Sequence, residues 1–424
     1  MTFRTTARRT EALKLLRTVA ATAALLGAAA SAHADTVLDW NAIAVANTGG
    51  NPFNQARILA ITQLAVFEAV NAIEGGYQPY LGTVVAPAGA SADAAAIAAA
   101  HDVLKFYVPG SAAALDAAKA TSLAAIPDGP AKDGGVATGE AAAAAMIANR
   151  FNDGATPAEF YLPASSDPYQ WQLTPGCTAS GGVFYNWRNL KTFGIENADD
   201  FRADPPPALD SVAYAKALNE VKRVGSKTSS ERPQDRTDVA RFYASASPGY
   251  VMNMAARQIA TAQHRSLSHN ARAFALINMA ISDAAVASFG TKYHYTTWRP
   301  ETAIHNADID GNDGTDADPS WEPLIVAPCF PAYTSNHGGL SNGAAEVMRR
   351  LYGEGEHTIT ITNPAFPTLV YNYTDLHQIT ADISDARVYG GIHYRFDQDE
   401  GARLGREVAT AVYKGNLRAI NGPQ

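Results

Sequence analysis

The sequence predicts an all-α fold, built as helix bundles that are joined by long connections. Apolar residues recur at every third or fourth position through long segments rich in Ala, Leu, Met, Glu and Lys, which is the pattern of helices with one buried face. Gly-Gly and Pro-Gly pairs separate these segments, and the alternation typical of strands is rare. A chain of 424 residues is long enough for one large domain or two domains of ordinary size.

The helices can be placed in order along the chain. The first is predicted at residues 54–73, NQARILAITQLAVFEAVNAI, and three alanine-rich helices follow in SADAAAIAAAHDVLKFYV, SAAALDAAKATSLAAI and EAAAAAMIANRF. Residues 153–210 are rich in Gly, Pro, Ser and aromatic residues, which predicts a long loop that is functional or lies over the body of the protein. The helical pattern resumes in VAYAKALNEVKRVG, NARAFALINMAISDAAVASF, LSNGAAEVMRRLY and GARLGREVATAVYKG. We therefore divide the chain into an N-terminal helical region, residues 35–225, and a C-terminal helical region, residues 226–424.

The first 34 residues have the layout of a signal peptide. Five basic residues precede or flank the start of the apolar run VAATAALLGAAA, and the small-residue site Ala32-His33-Ala34 follows it. We therefore expect a signal peptide at residues 1–34, cleavage before Asp35, and a secreted or periplasmic protein. The run is shorter than the roughly 20 apolar residues that a membrane span requires, so we expect no membrane association after cleavage.

The net charge excludes some classes of binding partner, and the number of cysteines excludes some kinds of structural site. Loss of residues 1–34 would lower the number of Lys and Arg from 33 to 28 and the number of Asp and Glu from 41 to 40, which leaves a net charge near −12. This balance argues against nucleic acid and anionic membranes as partners. Cys177 and Cys329 are the only cysteines, too few for a disulfide framework and unlike a zinc site. The sequence is compatible with a single disulfide between them and with two separate thiols.

The first of three motifs that could carry chemistry is TKYHYTTWRP, in which Lys292 and Arg299 stand seven residues apart. If the stretch is helical, these side chains lie two turns apart on one face, and Pro300 ends the helix. Such a pair can hold opposite sides of an oxyanion, with the arginine in bidentate contact. A solvated basic face is the alternative interpretation.

The second motif is CFPAYTSNHGGLSNGAAEV, which places Ser335, Asn336 and His337 just ahead of a predicted helix. A turn of this kind offers hydroxyl and backbone donors to an anion, and the imidazole beside them can act as an acid or a base. The alternative interpretation is a helix cap with an incidental histidine.

The third motif is ARVYGGIHYRFD, in which Arg387 precedes His393 and Asp397 follows it by four residues. If HYRFD opens a helix, positions four apart share a face, so Asp397 can accept a hydrogen bond from one ring nitrogen and leave the other free. An oriented imidazole of this kind acts as a nucleophile or a metal ligand. A surface His-Asp pair is the alternative.

The three motifs together resemble the signature shared by vanadium-dependent haloperoxidases and the phosphatidic acid phosphatase type 2 superfamily. They occur in the order Lys-x6-Arg-Pro, then Ser-x-His, then Arg-x3-Gly-x-His-x3-Asp. The segments DWNAIAV, ARILAITQLAVFEAVNAI and ARAFALINMAISDAA also look like the bacterial secreted haloperoxidases, so the resemblance covers most of the mature chain. It implies a vanadium chloroperoxidase-like fold of two helical bundles, with the active site in the C-terminal bundle.

The resemblance also implies roles for three residues that would do chemistry. His393 matches the histidine that holds vanadate in the haloperoxidases and is phosphorylated in the phosphatases. Asp397 matches the carboxylate that orients this histidine. His337 matches the acid-base histidine.

Five further residues occupy the positions that bind the oxyanion, and four of them match the family pattern. Lys292, Arg299 and Arg387 match the cations that neutralise its oxygens, and Ser335 matches the serine that donates a hydrogen bond to one of them. Asn336 departs from the family pattern, because a glycine whose N–H contacts the anion usually stands there. The N–H group survives this change, whereas the close backbone approach that glycine allows is put in doubt.

The implied function is a vanadate-dependent haloperoxidase, which oxidises a halide with hydrogen peroxide to hypohalous acid and has a small organic molecule as acceptor. Phe330 matches the fungal chloroperoxidase pattern, but Phe289 replaces its tryptophan near the halide, so we expect bromide and iodide to be oxidised faster than chloride. A secreted acid phosphatase, with phosphate on His393, is the alternative on the same scaffold. A non-catalytic oxyanion-binding protein is a third, and the oligomeric state stays open.

An acidic stretch, DIDGNDGTDAD at residues 308–318, resembles a calcium-binding loop in part. Asp313 occupies the position where such a loop needs glycine, and Pro319 the twelfth position, which is usually Glu. We therefore favour an acidic surface loop, with calcium as the secondary interpretation.

Overall fold

The structure is a computed structural model that describes residues 35–420. The predicted signal peptide lies outside the described residues. Helices dominate the described chain, and the all-α prediction is confirmed. In order they are α1 (Thr36–Asn47), α2 (Pro52–Glu74), α3 (Ala92–Tyr107), α4 (Ala112–Ala124), α5 (Pro130–Asn149), α6 (Val212–Val224), α7 (Gln234–Ser245), α8 (Pro248–Ala262), α9 (Leu267–Tyr295), α10 (Pro300–His305), α11 (Asn336–Tyr352), α12 (Leu376–Tyr389) and α13 (Arg395–Gly415).

The helices form two bundles. In the N-terminal bundle, α2, α3 and α5 pack on one another, and α1 and α4 pack against α3. In the C-terminal bundle, α9, α11 and α13 pack on one another, and α12 packs against α7 and α11. The helix α9 also packs along α2, so one continuous apolar core runs through both bundles. The division of the chain at residue 225 stays a prediction.

The helices α2 and α9 are core elements. Both are long and apolar enough to cross a membrane by length and composition alone. Of the most apolar window of each, however, 83% in α2 and 94% in α9 is buried inside the fold. Their apolar length is explained by contact with neighbouring helices on all sides.

Glycines allow α11 and α13 to cross closely, which positions the candidate site. A side chain on Gly405 would collide with the carbonyl of Gly339, and a Cβ on Gly401 would lie 2.6 Å from the carbonyl oxygen of Ser335. Only residues without a Cβ permit this approach. The crossing brings the first turn of α13 against the first turn of α11, where the backbone N–H of Ser335 donates to the carbonyl of Asp397 at 2.9 Å.

A two-stranded antiparallel hairpin, β1 (Ile359–Thr362) with β2 (Val370–Tyr373), was not predicted. Ile359 and Ile361 are buried and their neighbours are not, which is the alternation of a strand with one buried face. The run is only four residues long, too short to stand out from the surrounding loop in the sequence.

The predicted loop at residues 153–210 is irregular and contacts both halves of the described chain. It contains the short 3-10 helices Tyr185–Asn189 and Ala198–Phe201. The buried carboxylate of Asp283, in α9, accepts hydrogen bonds from three consecutive N–H groups of this loop, those of Phe193, Gly194 and Ile195. The loop is also joined covalently to the C-terminal bundle, because Cys177 and Cys329 form a disulfide with their Cα atoms 5.3 Å apart.

Candidate active site

The three sequence motifs meet at the ends of four helices, α9, α11, α12 and α13. The segment of residues 330–332 and the turn before α13 lie between them and accept hydrogen bonds from the cations. All eight residues that the motifs predict lie in this region, and seven of them are buried. The eighth, His337, is partly exposed.

Lys292 lies in the last turn of α9 and is fully buried. Its ammonium Nζ donates to the carbonyl oxygens of Pro331 and Ala332, each at 2.8 Å. The ring of Phe330 covers it, with the centroid 5.1 Å from Nζ. A solvated basic face is therefore the wrong interpretation of this motif.

Arg299 is also fully buried, but it does not share a helical face with Lys292. The helix α9 ends at Tyr295, because Thr296 has a left-handed backbone conformation with φ of 49°, and Pro300 begins α10 where we predicted that it would end a helix. Arg299 instead reaches the site through its own contacts. Its Nε donates to the carbonyl of Phe330 and its Nη1 to that of Ile392, both at 2.8 Å.

His393 is held by Asp397 as predicted, although the geometry is different. The ring Nδ1 lies 2.7 Å from Oδ2 of Asp397, and both side chains are buried, so the surface-pair alternative is wrong. The helix α13 begins at Arg395, after His393. Asp397 is the third residue of α13, and its carboxylate reaches back to the histidine and also accepts from the N–H of Tyr394 at 3.2 Å. The contact is part of a helix cap and does not come from two side chains on one helical face.

The second ring nitrogen of His393 faces a cation. Nε2 lies 3.1 Å from Nη1 of Arg299. With Nδ1 donating to Asp397, Nε2 carries a lone pair that accepts from the guanidinium. Nε2 is therefore the atom of His393 that would act as a nucleophile or as a ligand.

Ser335 both caps α11 and belongs to the site. It is the N-cap residue, and its Oγ accepts a hydrogen bond from the N–H of Gly338 at 3.2 Å. The hydroxyl hydrogen remains available to donate, so the cap interpretation and the anion interpretation are compatible for this residue. Asn336 begins the helix, and its buried side-chain amide has no hydrogen-bond partner among the described residues.

Arg387 lies in the last turn of α12. It is buried, and its Nε and Nη1 have no hydrogen-bond partner within the part of the chain that the structure describes. The same holds for Nη2 of Arg299. Buried guanidinium N–H groups without partners are costly, and a bound oxyanion would satisfy them.

The site has an excess of positive charge in a buried position. Burial lowers the pKa of Arg299 to about 9 and that of Arg387 to about 10. Burial, followed by the charge of Arg299, holds the pKa of Lys292 well below its ordinary value. A bound anion would supply the missing counter-charge and raise all three pKa values again.

The two histidines are kept neutral by the same field. Burial and then the charges of Arg299, Lys292 and Arg387 hold the pKa of His393 well below its usual range. Burial and the charges of Arg387 and Lys292 do the same to His337. Burial raises the pKa of Asp397 to about 7, against the opposing charge of Lys292. A neutral imidazole has the lone pair that ligation or nucleophilic attack requires.

Four phenylalanines form a cluster beside the cations. Phe289 and Phe330 were predicted from the motifs, and their rings meet edge to face at 5.5 Å. Phe53, from α2, contacts both at 4.8 and 6.1 Å, and Phe184, from the long loop, contacts both at 5.6 and 6.4 Å. Sequence reasoning missed Phe53 and Phe184, because apolar residues far along the chain carry no signal of a shared site.

Comparisons with known proteins point to one family. A family model described as the VCPO second helical-bundle domain matches residues 272–422, which contain all three motifs. This part of the chain is therefore similar to a VCPO second helical-bundle domain. The vanadium chloroperoxidase of Curvularia inaequalis is 30% identical over 92 residues, which is 19% of this chain and 14% of the length of that relative. The resemblance to vanadium haloperoxidases that the motifs predicted is confirmed.

Solved structures of bacterial vanadium haloperoxidases share the fold over most of the chain. The first bacterial vanadium-dependent iodoperoxidase superposes with a TM-score of 0.76 at 24% identity, covering 92% of this chain and 97% of that one. The apo form of a bacterial vanadium-dependent chloroperoxidase has a TM-score of 0.70 at 17% identity, covering 85% and 92%. Its holo form has a TM-score of 0.69 at 17% identity, covering 87% and 93%. The vanadium haloperoxidase-like fold therefore includes the N-terminal bundle.

The residues present in the candidate site fit vanadate. The hydrogen-bond donors of the site are an ammonium, two guanidinium groups with unpartnered N–H groups, and a hydroxyl. The imidazole lone pair is available to bond to the central atom. These groups complement a small oxyanion with several oxygens. Among residues 35–420, no cluster of three or more His, Cys, Asp or Glu side chains could hold a metal cation.

In the acidic stretch at residues 308–318, some carboxylate oxygens accept hydrogen bonds from other groups of the protein. Oδ1 of Asp310 accepts from the N–H of Asn312, and Oδ2 accepts from the hydroxyl of Thr315, both at 2.8 Å. The side-chain amide of Asn312 donates to the carbonyls of Leu209 and Ser211. These contacts explain the turn by local hydrogen bonds, and calcium binding there stays a prediction.

Proposed function

We propose that the protein is a vanadate-dependent haloperoxidase, which oxidises a halide with hydrogen peroxide to hypohalous acid. One observation carries the proposal. Three buried cations, two of them with unpartnered N–H groups, act on a single neutral imidazole that a buried carboxylate orients. An arrangement with so much uncompensated positive charge is unfavourable unless it binds an anion.

We call the residues that would hold the anion the cradle: Lys292, Arg299, Ser335, Arg387 and His393. Each has a role in this proposal. Nε2 of His393 would hold the vanadium, and Asp397 keeps the proton on Nδ1 so that the lone pair of Nε2 stays free. Arg299 would move its Nη1 from that lone pair to an oxygen of the anion. Lys292 and Arg387 would neutralise further oxygens. Vanadate, when bound, supplies a Lewis-acidic centre that activates hydrogen peroxide toward a halide.

His337 is the acid-base group in this proposal. It follows Ser335 by two residues in the first turn of α11, and its partly exposed ring borders a cavity of about 660 Å³. Because its pKa is held well below the usual range by burial and by Arg387 and Lys292, it is neutral at pH 7. A neutral ring can take a proton from an incoming peroxide molecule and return it to a leaving oxygen.

A secreted acid phosphatase is the second candidate. Phosphate has the charge and the tetrahedral shape of vanadate, so the same residues would hold it, with His393 as the nucleophile. The position of His337 favours this candidate as well, because its ring borders a cavity where the oxygen of a leaving alkoxide could take up a proton to become the alcohol. A non-catalytic oxyanion-binding protein would need the cradle but has no use for His337.

Parallel assays of the full chain separate these candidates. After addition of vanadate, we expect peroxide consumption that depends on bromide, and no hydrolysis of p-nitrophenyl phosphate in the absence of vanadate. Hydrolysis of the ester without bromide-dependent peroxide consumption would overturn the haloperoxidase in favour of the phosphatase. Tight vanadate binding with neither activity would favour the binding protein.

We also propose that the protein works outside the cytoplasm. The signal-peptide layout of residues 1–34 supports this. The disulfide between Cys177 and Cys329 supports it independently, because such bonds persist in oxidising compartments. Detection of the processed chain in the reducing cytoplasm alone would contradict the proposal.

A further inference from the structure

The cavity of about 660 Å³ beside His337 is larger than the proposed reaction needs. It lies between the end of α1, the start of α2 and the α7–α8 connection. Its rim includes the exposed residues Ala46 and Ala244, and its interior the buried residues Val45 and Ala246. Peroxide and a halide ion have one or two heavy atoms, whereas a cavity of this volume is typical of sites for organic molecules of drug size.

The wall of the cavity does not suit an ion. Apolar side chains make up much of it, and four of its polar side chains are bonded to one another or to the backbone. The hydroxyl of Ser247 donates to Oε1 of Gln55, and the amide of Asn363 donates to the carbonyl of Phe242 and to the hydroxyl of Ser245. Cations are absent from the lining. A halide or a phosphate group would therefore gain little there.

Two polar groups in the lining have the chemistry to contact a ligand. His337 borders the cavity and follows Ser335, a member of the anion cradle, by two residues. The ring of Tyr250, at the start of α8, is partly exposed, and none of the described residues forms a hydrogen bond with its hydroxyl. An apolar cavity with a small number of such groups fits a neutral molecule with an apolar body and one polar substituent.

We propose that this cavity binds a neutral, electron-rich aromatic substrate, a phenol in the simplest case, and holds it for halogenation beside His337. The proposal rests on the proposed haloperoxidase function and names the organic substrate class of that site. Hypobromous acid would transfer bromine to a ring carbon. The carbon–bromine bond forms as the oxygen–bromine bond breaks, and the ring carbon loses its proton to the released hydroxide, which gives water. The ring is oxidised by two electrons and the bromine is reduced.

Binding can be tested without any turnover. Thymol, a phenol with open positions ortho and para to its hydroxyl, is titrated into the full chain by calorimetry in the absence of peroxide and bromide. We expect saturable binding that weakens at least tenfold in Ala244→Trp, because the indole would fill the cavity from an exposed position. The control Ala141→Trp adds the same group at an exposed position of α5 and should bind thymol like the wild type. No saturable binding, or equal binding in Ala244→Trp, would overturn the proposal.

Product analysis tests whether the bound substrate is the one that reacts. Free hypobromous acid sets a reference ratio of ortho to para bromothymol. We expect the vanadate-loaded protein to change this ratio at least twofold, Tyr250→Phe to shift it again, and Ala244→Trp to restore the reference. The free-reagent ratio from the wild-type protein would refute halogenation in the cavity.

The proposed function has its own readout, which is bromide-dependent peroxide consumption without thymol. Its absence would overturn the haloperoxidase proposal, and the calorimetric comparison would still decide whether the cavity is a site for a phenol.

Discussion

At the residue scale, the chemistry of His393 depends on the position of one proton. Oδ2 of Asp397 lies 2.7 Å from Nδ1 and favours the tautomer with the proton there, and burial, followed by the neighbouring cations, holds the pKa of the ring well below its usual range. The result is a neutral imidazole with its lone pair directed toward Arg299. A vanadate or phosphate ion would form a covalent bond to this nitrogen, so the anion would be held by that bond as well as by the charge of the cations.

The first prediction concerns this attachment. In His393→Ala the three cations remain, but the bond to vanadium is lost. We expect vanadate to dissociate during dialysis that leaves the wild type loaded, and the residual binding to weaken as salt is raised. Vanadium content after dialysis at low and high salt measures this. Full retention by the variant would show that the anion is attached at another residue.

The second prediction concerns His337, whose ring borders the cavity and is not a member of the buried cradle. In His337→Ala we expect anion binding to change little and turnover to fall on the order of a hundredfold or more, because proton transfer is lost. If His337 were only part of a helix cap, stability would fall by about 1 kcal/mol with turnover nearly intact. Thermal unfolding and steady-state kinetics of the same variant distinguish the two results.

At the element scale, α9 and the segments that pack on it determine where the site residues lie. Its C-terminal turn carries Lys292, and Asp283 in its middle binds three N–H groups of the long loop. Phe289 lies one turn before Lys292 and contacts Phe330. One helix therefore connects the anchor of the loop, the aromatic cluster and a cation of the cradle.

The third prediction concerns the pH dependence of the Asp283 anchor. Burial raises its pKa to about 6 from an ordinary value of 3.8. Between these values the folded protein binds more protons at this group than the unfolded chain, so its contribution to stability is largest below 3.8 and is lost as the pH rises to 6. We expect the free energy of unfolding of the wild type to fall relative to that of Asp283→Asn across this window, by about 3 kcal/mol at most.

Melting curves of both proteins at pH 4, 5 and 6 would give that difference. The Asn variant serves as the control, because it cannot titrate. Parallel pH profiles for the two proteins would contradict the assigned role.

The fourth prediction concerns the aromatic cluster. We expect bromide and iodide oxidation to exceed chloride oxidation in the wild type, because Phe289 stands where the chloroperoxidase pattern has tryptophan and chloride is the hardest of the three to oxidise. In Phe289→Trp the ratio of chloride to bromide turnover should rise, although overpacking should cost about 1 to 3 kcal/mol of stability.

A ratio measured within one protein is independent of the folded fraction. Phe67→Trp is the control, because Phe67 is equally buried but lies in α2 beside Tyr77. An equal rise in both variants, or comparable wild-type turnover of chloride and bromide, would defeat the assignment.

At the scale of the whole molecule, the disulfide links the long loop to the site. Cys329 directly precedes Phe330, whose carbonyl holds Arg299, and the next two carbonyls hold Lys292. The N–H of Val183 in the loop donates to the carbonyl of Cys329 at 2.9 Å. The bond spans 152 residues of sequence, so it restricts the unfolded chain strongly.

The fifth prediction follows from this link. Cys329→Ser should lower the free energy of unfolding by about 3 to 5 kcal/mol, the range expected for closing so long a loop. It should also weaken vanadate retention, because the segment that orients two of the cations is no longer tied to the loop. Cys177→Ser should reproduce both effects. Loss of stability with unchanged vanadate affinity would show that the disulfide does not position the site.

The sequence by itself determined the helical class and most helix positions, and it singled out the eight candidate site residues. Helix periodicity and alanine content are local properties, so α2, α9, α11 and α13 could be predicted from short segments. The site residues could be found because their spacing within each motif is also local, and because the motifs together resemble one family.

The tertiary structure decided how those residues meet. Lys292 and Arg299 converge because both bond to the carbonyls of residues 330–332, and their spacing of seven does not place them on one helix. Phe53 reaches the aromatic cluster from α2, and Ala46 and Ala244 border one cavity from α1 and α7. Contacts between residues distant in sequence depend on how helices cross and how carbonyls are satisfied, and these are properties of the packed chain that no local pattern encodes.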